Sequence, residues 1–297
     1  MRIGLIDCDG TRHPNLALMK ISAWHRRHGD TVLWFHPLFS AEFDAVYASR
    51  VFSFGPAPEL PRGVERGGTG FGEPYGNLPE EIEHMRPDYK LYRITDTAYG
   101  FVTRGCPNHC PWCVVPAKEG QISAHAEFGE FWDGQENIVL MDNNILAHEH
   151  GLAQLEQIAS TRAKLDCNQG LDARRVDHAV AALLARVRWK VLRFACDRAD
   201  QMPAVERAVR LVREAAGHAS FGGQRIRCYV LVQDIEDALE RVEFLRKLDV
   251  DPFAQPFRPL DGGEPDATLK RFARWVNHKA IFRTVPWEEY KFREVAA

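Results

Sequence analysis

The stretch GFVTRGCPNHCPWCVVP, residues 100–116, places Cys106, Cys110 and Cys113 within eight residues and supplies no fourth cysteine nearby. The spacing is C-x-x-x-C-x-x-C. Thiolates are soft donors, suited to zinc, Cu(I) and iron–sulfur clusters. A closed structural zinc site takes four protein ligands, usually as two pairs separated by a loop. A [4Fe–4S] cube takes one ligand per iron. Three thiols on one tight loop can therefore hold three corners and leave the fourth open, and an open coordination position is where a substrate or cofactor binds. The alternatives are a zinc site completed by His109 or His125, and a simple electron-transfer cluster.

The chain around this stretch has 297 residues, 45% hydrophobic and 27% charged, with a net charge of −3. That length supports one large α/β unit or two domains. The charge balance indicates neither a polybasic nucleic-acid surface nor a membrane-binding patch. No apolar run approaches the ~20 residues of a membrane-spanning helix, and the start MRIGLIDCDG lacks the layout of a secretion signal. A soluble, cytoplasmic protein is expected. In a reducing compartment, clustered cysteines bind metal or do chemistry rather than form disulfides. The other four, Cys8, Cys167, Cys196 and Cys228, lie apart in apolar runs and read as small buried hydrophobes.

Ahead of the cysteines, RIGLID, PNLALMKISAWHRRHG and TVLWF read as strand, helix and strand, with Pro14 in the first turn, and FDAVYASRVF reads as a third strand. This predicts a small Rossmann-like βαβ domain over residues 1–95. Its Gly/Pro-rich stretch 55–76 reads as a long connection, and LPEEIEHMRPDYKLY as a short acidic helix leading to the cysteines. Over residues 96–297, the strand candidates YGFVTRG, NIVLMDN, AKLDCNQ, KVLRFACD, RIRCYVLVQ and DPFAQPFRP alternate with amphipathic stretches. Six βα-type units are too few for a closed eight-stranded barrel and suit an open, partial one. Polar residues gather at the carboxyl ends of these strands: Asp142, Asn143 and Asn144, then Asn168 and Gln169, then Asp197 and Arg198. That is where parallel α/β folds place working groups. The tail 266–292 reads as an amphipathic helix closing the barrel, with Phe272, Trp275 and Ile281 inward.

TRGCPNHCPWC, followed by strands in this order, resembles the cluster loop of radical S-adenosylmethionine enzymes, whose fold is a partial (β/α)6 barrel. The aromatic just before the last cysteine is Trp112. The resemblance implies that Cys106, Cys110 and Cys113 ligate three irons of a [4Fe–4S] cluster and that S-adenosylmethionine chelates the fourth. It implies reductive cleavage to methionine and a 5′-deoxyadenosyl radical, which abstracts hydrogen from a substrate. A reductant such as flavodoxin or ferredoxin would supply the electron. Among cofactor contacts it implies Trp112 near the adenine and Asp142, Asn143 and Asn144 at the methionyl amino group. Asp197 would stand near the ribose or methionyl end, Arg198 at the carboxylate, and Gln169 in the cavity wall.

Residues 1–95 are similar to the domain preceding the barrel in cobalamin-dependent members, but the D-x-H-x-x-G ligand motif is missing; His13 lacks that spacing. The domain is accordingly read as degenerate, with cobalamin and methyl transfer as the lesser alternative. Methylthiotransferases carry a second three-cysteine cluster there, which Cys8 alone cannot supply. LIDCDGT also resembles the nucleophile loop of haloacid dehalogenase-type phosphatases, with Asp7 as nucleophile and Asp9 as acid/base. Arg12, His13 and Pro14 follow where that family prefers an apolar residue, so a strand-to-helix turn is expected instead.

Overall fold

The computed structural model describes residues 1–11, 13–55, 58–73, 76–217, 226–259 and 263–290. Residues 56–57 and 74–75 of the Gly/Pro-rich stretch, Arg225 at the head of RIRCYVLVQ, and the end of the tail lie outside the described residues. The chain divides into two units, Met1–Phe101 with Ala126–Ile138, and Val102–His125 with Val139–Ala297. The first unit includes residues 1–95 and runs on to Phe101, with the return segment Ala126–Ile138.

In the first unit, β1 (Arg2–Asp7), α1 (Leu16–Arg27), β2 (Thr31–Trp34) and β3 (Ala45–Ser49) form the expected parallel unit. A short β4 (Glu65–Gly67), inside the stretch read as connection, extends the sheet to the order β2-β1-β3-β4. Alternation along β1 sends Ile3 and Leu5 into a core with Leu18, Ile21, Val32 and Ile82. Asn15, not Pro14, starts α1: its side chain accepts from Leu18 N and donates to Ser49 Oγ on β3. The two carboxylates of LIDCDGT are engaged in structure. Asp7 accepts from Tyr92 Oη (2.7 Å), while Asp9 accepts from the backbone N–H groups of Val51 and Phe52. The unit also holds α2 (Glu80–Glu83) and β5 (Thr97–Gly100), which neighbours the first half of β8 (Asn137–Leu140).

In the second unit, β6 (Thr103–Arg104) and β7 (Ser123–Ala124) form an antiparallel ribbon, with α3 (Val115–Lys118) between them. YGFVTRG, expected as one strand, is therefore two. The second half of β8 neighbours β9 (Lys164–Cys167). After α4 (Glu149–Ala159) and α5 (His178–Arg186) comes β10 (Leu192–Ala195). It is followed by α6 (Met202–Ala216), β11 (Ile226–Val232), α7 (Ile235–Lys247) and β12 (Asp251–Pro256). β10, β11 and β12 pair in parallel, and isolated parallel bridges run from Leu165 of β9 to Trp189 and from Leu171 to Phe194 of β10. The architecture is mixed α/β with parallel sheets, as strand runs alternating with helices dictate. No helix among the described residues is long and apolar enough to cross a membrane.

The tail forms α8 (Ala267–Asn277) and α9 (Lys279–Thr284). Phe272 and Trp275 are buried as expected, but Ile281 is only half-buried and Phe282 takes the inward place. His278 leaves the helical conformation (φ −87°, ψ 87°) and caps α9, which resets the helical phase by one residue. Cys167, Cys196 and Cys228 are buried, while Cys8 is half-buried.

Candidate functional site

The cysteine loop starts at Gly105, whose φ of +79° favours glycine and where a Cβ would stand 2.3 Å from Gln121 O. Gly105 N donates to Glu119 Oε2 (3.0 Å), and Cys106 N to Gly120 O (3.2 Å), which pins the loop at its base. Two backbone amides point at sulfur: Asn108 N to Cys106 Sγ and Val115 N to Cys113 Sγ, both 3.5 Å. Cys113 N closes a turn on Cys110 O (3.0 Å). All three thiols are partly exposed. Burial raises the Cys110 and Cys113 thiol pKa values, and the neighbouring sulfurs and Asp197 raise them further. Arg174 opposes the shift at Cys110, and the amide of Val115 opposes it at Cys113. Thiolates on one short loop repel one another, and a cation is what would relieve that repulsion.

Asp142, Asn143 and Asn144, at the end of β8, each do something different. Asp142 is 2% exposed and accepts from Val102 N (3.1 Å), Thr103 N (2.5 Å) and Thr103 Oγ1 (2.7 Å). Capture of these two amides draws the chain out of the sheet ladder, which is why the strand breaks before β6. Asn143 donates to Glu119 Oε2 (2.9 Å), and Glu119 also pairs with Arg104 (3.1 Å). Asn144 faces the cysteines. Its Nδ2 donates to Cys106 Sγ (3.6 Å) and to Asp172 Oδ2 (3.2 Å), and its Oδ1 is buried without a hydrogen-bond partner.

Sequence reasoning missed Asp172, Arg174 and Glu119. Asp172, in the loop after β9, accepts from Asn108 Nδ2 (3.2 Å), Asn144 Nδ2 (3.2 Å) and bidentately from Arg174 (2.8 Å to each oxygen). Burial works against its ionisation, but these bonds outweigh burial and hold the carboxyl below its usual range. The available signal was the run GLDARR at the carboxyl end of a strand, which sets a carboxylate among arginines.

The remaining expected residues are less convergent. Trp112 is half-buried within the loop, and Gln169 is exposed. Asp197 accepts from Leu231 N (3.0 Å), and burial raises its pKa against that bond and Arg241. Arg198 is exposed and bound to Asp200 (2.9 Å), so its charge is already matched. His109 reaches Gln121 at the surface (3.5 Å), and His125 N joins Val102 O in the ribbon (2.9 Å). Asn168 Oδ1 is a second buried acceptor without a partner.

Among the described residues, no three His, Cys, Asp or Glu side chains are already converged as a metal cage. The thiols follow the local bonds of their loop. The donor set still fits an iron–sulfur cluster: three soft donors on one loop, amides directed at sulfur, and a buried amide oxygen with unused acceptor capacity beside Cys106. That oxygen suits an ammonium or amine N–H.

Burial lifts Asp142 to about 6, the amide and hydroxyl bonds only partly offsetting it. The folded protein then binds the proton more tightly than the unfolded chain, so this group's contribution favours folding most below pH ~4 and declines as pH rises to ~6. The change is on the order of 2–3 kcal/mol. Asp142→Asn retains an acceptor oxygen, and is expected to remove that slope. Thermal melts from pH 4 to 7 on both proteins test this through their difference, which cancels the opposing slopes of carboxylates such as Asp172. Parallel profiles would refute it.

No family model matches the sequence, and comparison with curated proteins gives no match.

Proposed function

We propose that this chain is a radical S-adenosylmethionine enzyme, with the parallel strands and helices of its second unit serving as part of a (β/α)6 barrel. The observation that carries this is the pairing of Asn144 with the cysteine loop: one amide touches Cys106 Sγ through Nδ2 and presents a buried, unpartnered Oδ1. When bound, a [4Fe–4S] cluster with S-adenosylmethionine would supply one-electron reductive cleavage of the sulfonium and hydrogen abstraction from a substrate.

Cys106, Cys110 and Cys113 would hold three irons. Asn144 Oδ1 would accept an N–H of the methionyl amino group, a bond made only when the cofactor is present. Asp172 and Arg174 keep Asn108 and Asn144 in place and set a cation near sulfur. Glu119 and Gly105 fix the base of the loop. An electron donor such as flavodoxin or ferredoxin would serve as partner.

The test is anaerobic reconstitution with iron and sulfide, then dithionite and S-adenosylmethionine, following 5′-deoxyadenosine by chromatography. Asn144→Leu should weaken S-adenosylmethionine binding by about tenfold or more while iron loading persists, since it removes a buried hydrogen bond to a charged group. Unchanged binding in that variant would remove Asn144 from the site. Absence of 5′-deoxyadenosine from fully loaded wild-type protein, with candidate substrates present, would refute the assignment.

A further inference from the structure

Strand alternation gives the sheet β10-β11-β12 two unlike faces. Ile226, Cys228, Val230 and Val232 are each fully buried on the side where α7 and α8 pack. Arg227, Tyr229 and Leu231 point the other way. The register aligns residues on that second face in tiers: Arg193, Arg227 and Asp251, then Ala195, Tyr229 and Phe253, then Leu231 and Gln255.

The first tier holds an imbalance. Arg193 is matched, with Asp166 accepting from its guanidinium in two bonds of 2.6 and 2.7 Å. Asp251 is shared by Lys279 (3.8 Å) and Arg283 (3.7 Å). Arg227 makes no ion pair with either, and its Nε is buried without a hydrogen-bond partner. Among these described residues, four cations stand beside two carboxylates. Burial lowers the Lys279 ammonium pKa; Asp251 opposes that shift, and Arg227 and Arg283 add to it. A buried donor nitrogen without an acceptor is costly, and an anion is what would satisfy it.

The second tier is a ring wall. Tyr229 and Phe253 meet edge to face, centroids 5.8 Å apart at 78°, and Phe253 is 36% exposed. Tyr229 is held by its hydroxyl, which donates to Asn168 O (2.8 Å), and by Arg193 over its ring at 5.7 Å. The register neighbour of Tyr229 on β10 is the small Ala195. Gly170 abuts the same ring: a Cβ there would lie 3.1 Å from Tyr229. Beyond the end of β10 stands Asp197, which accepts from Leu231 N (3.0 Å). Tiers two residues apart are separated by about 6–7 Å along a strand. A ring against Tyr229 and Phe253 would thus have an anionic substituent at Arg227 and its opposite edge toward the carboxyl ends of the strands.

We infer that this face binds a small planar ring carrying one anionic group, phosphate or carboxylate, with Arg227 as the anion contact and Tyr229 and Phe253 as the ring wall. Taking that molecule for the substrate class rests on the proposed function; the binding itself does not.

The experiment titrates the full-length, iron-free chain with phenyl phosphate, benzoate, benzyl alcohol and inorganic phosphate, by calorimetry at low salt. Phenyl phosphate or benzoate should bind, and the pair identifies which anion is preferred. Benzyl alcohol and inorganic phosphate should each bind about tenfold or more weakly than the better of the two. Arg227→Gln should weaken that ligand by at least about tenfold and Phe253→Ala by several-fold. Arg227→Met is the folding control, expected to melt at or above the wild-type temperature, because it removes a buried Nε that has no hydrogen-bond partner. Equal affinity in wild type and Arg227→Gln, equal affinity for the neutral ring, or a marked fall in melting temperature for Arg227→Met would each overturn the inference. Neither iron nor S-adenosylmethionine enters this assay. A negative result therefore leaves the proposed function standing, while binding without 5′-deoxyadenosine formation would count against that function alone.

Discussion

Replacing Cys106, Cys110 or Cys113 by alanine, one at a time, is expected to reduce 5′-deoxyadenosine formation to the background of iron-free protein. Each substitution removes one of three soft donors on a loop with no fourth cysteine nearby to substitute for it. Cluster assembly is a threshold event, because a cube held at two corners is exposed to solvent and lost. The informative contrast is with Cys167→Ala, Cys196→Ala and Cys228→Ala. These thiols are buried, and burial raises the pKa of each. They are packing residues, so each substitution should cost about 1–2 kcal/mol of stability and leave iron loading intact. Activity surviving in a loop variant, or lost together with iron in a buried one, would show that the wrong sulfurs have been assigned.

Asp142→Ala is expected to be the most destabilising single substitution around the site. It strips Val102 N, Thr103 N and Thr103 Oγ1 of their acceptor in a place water does not reach. Orphaned buried donors cost about 1–3 kcal/mol each, so a total near 3–5 kcal/mol is expected. Denaturant unfolding measures it. Asp142→Asn keeps an acceptor and should lose far less at neutral pH. Because Asp142 fixes the strand that enters the cysteine loop, Asp142→Ala should also load iron poorly even where it remains folded. A loss below about 1 kcal/mol would mean the carboxylate is not the anchor that breaks the strand.

What could be read from the residues divides along physical lines. Apolar periodicity and β-branched runs located the strands and helices on either side of the cysteines, because burial on one face imposes the same pattern on any such element. Cysteine spacing is local, so the three-thiol loop was legible without a fold. The roles within MDNN were not: a carboxylate and two amides in succession look alike in sequence, and only the fold sends Asp142 to backbone amides, Asn143 to Glu119 and Asn144 to sulfur. Asp172 was hidden for the same reason, 66 positions from Cys106 and joined to it through Asn108 and Asn144. The exchange of Ile281 for Phe282 came from a helix break at His278 that helical spacing cannot anticipate. β4 was missed because its three residues, Glu65–Gly67, carry no apolar pattern and are held by pairing to β3 alone.

The central claim is that the 106–113 loop binds an iron–sulfur cluster, and the most direct test is the metal and acid-labile sulfide content of the chain purified without oxygen. About four irons and four sulfides per chain, falling to near zero in Cys110→Ala, are predicted. One zinc per chain without sulfide, retained at the same loop, would contradict the account.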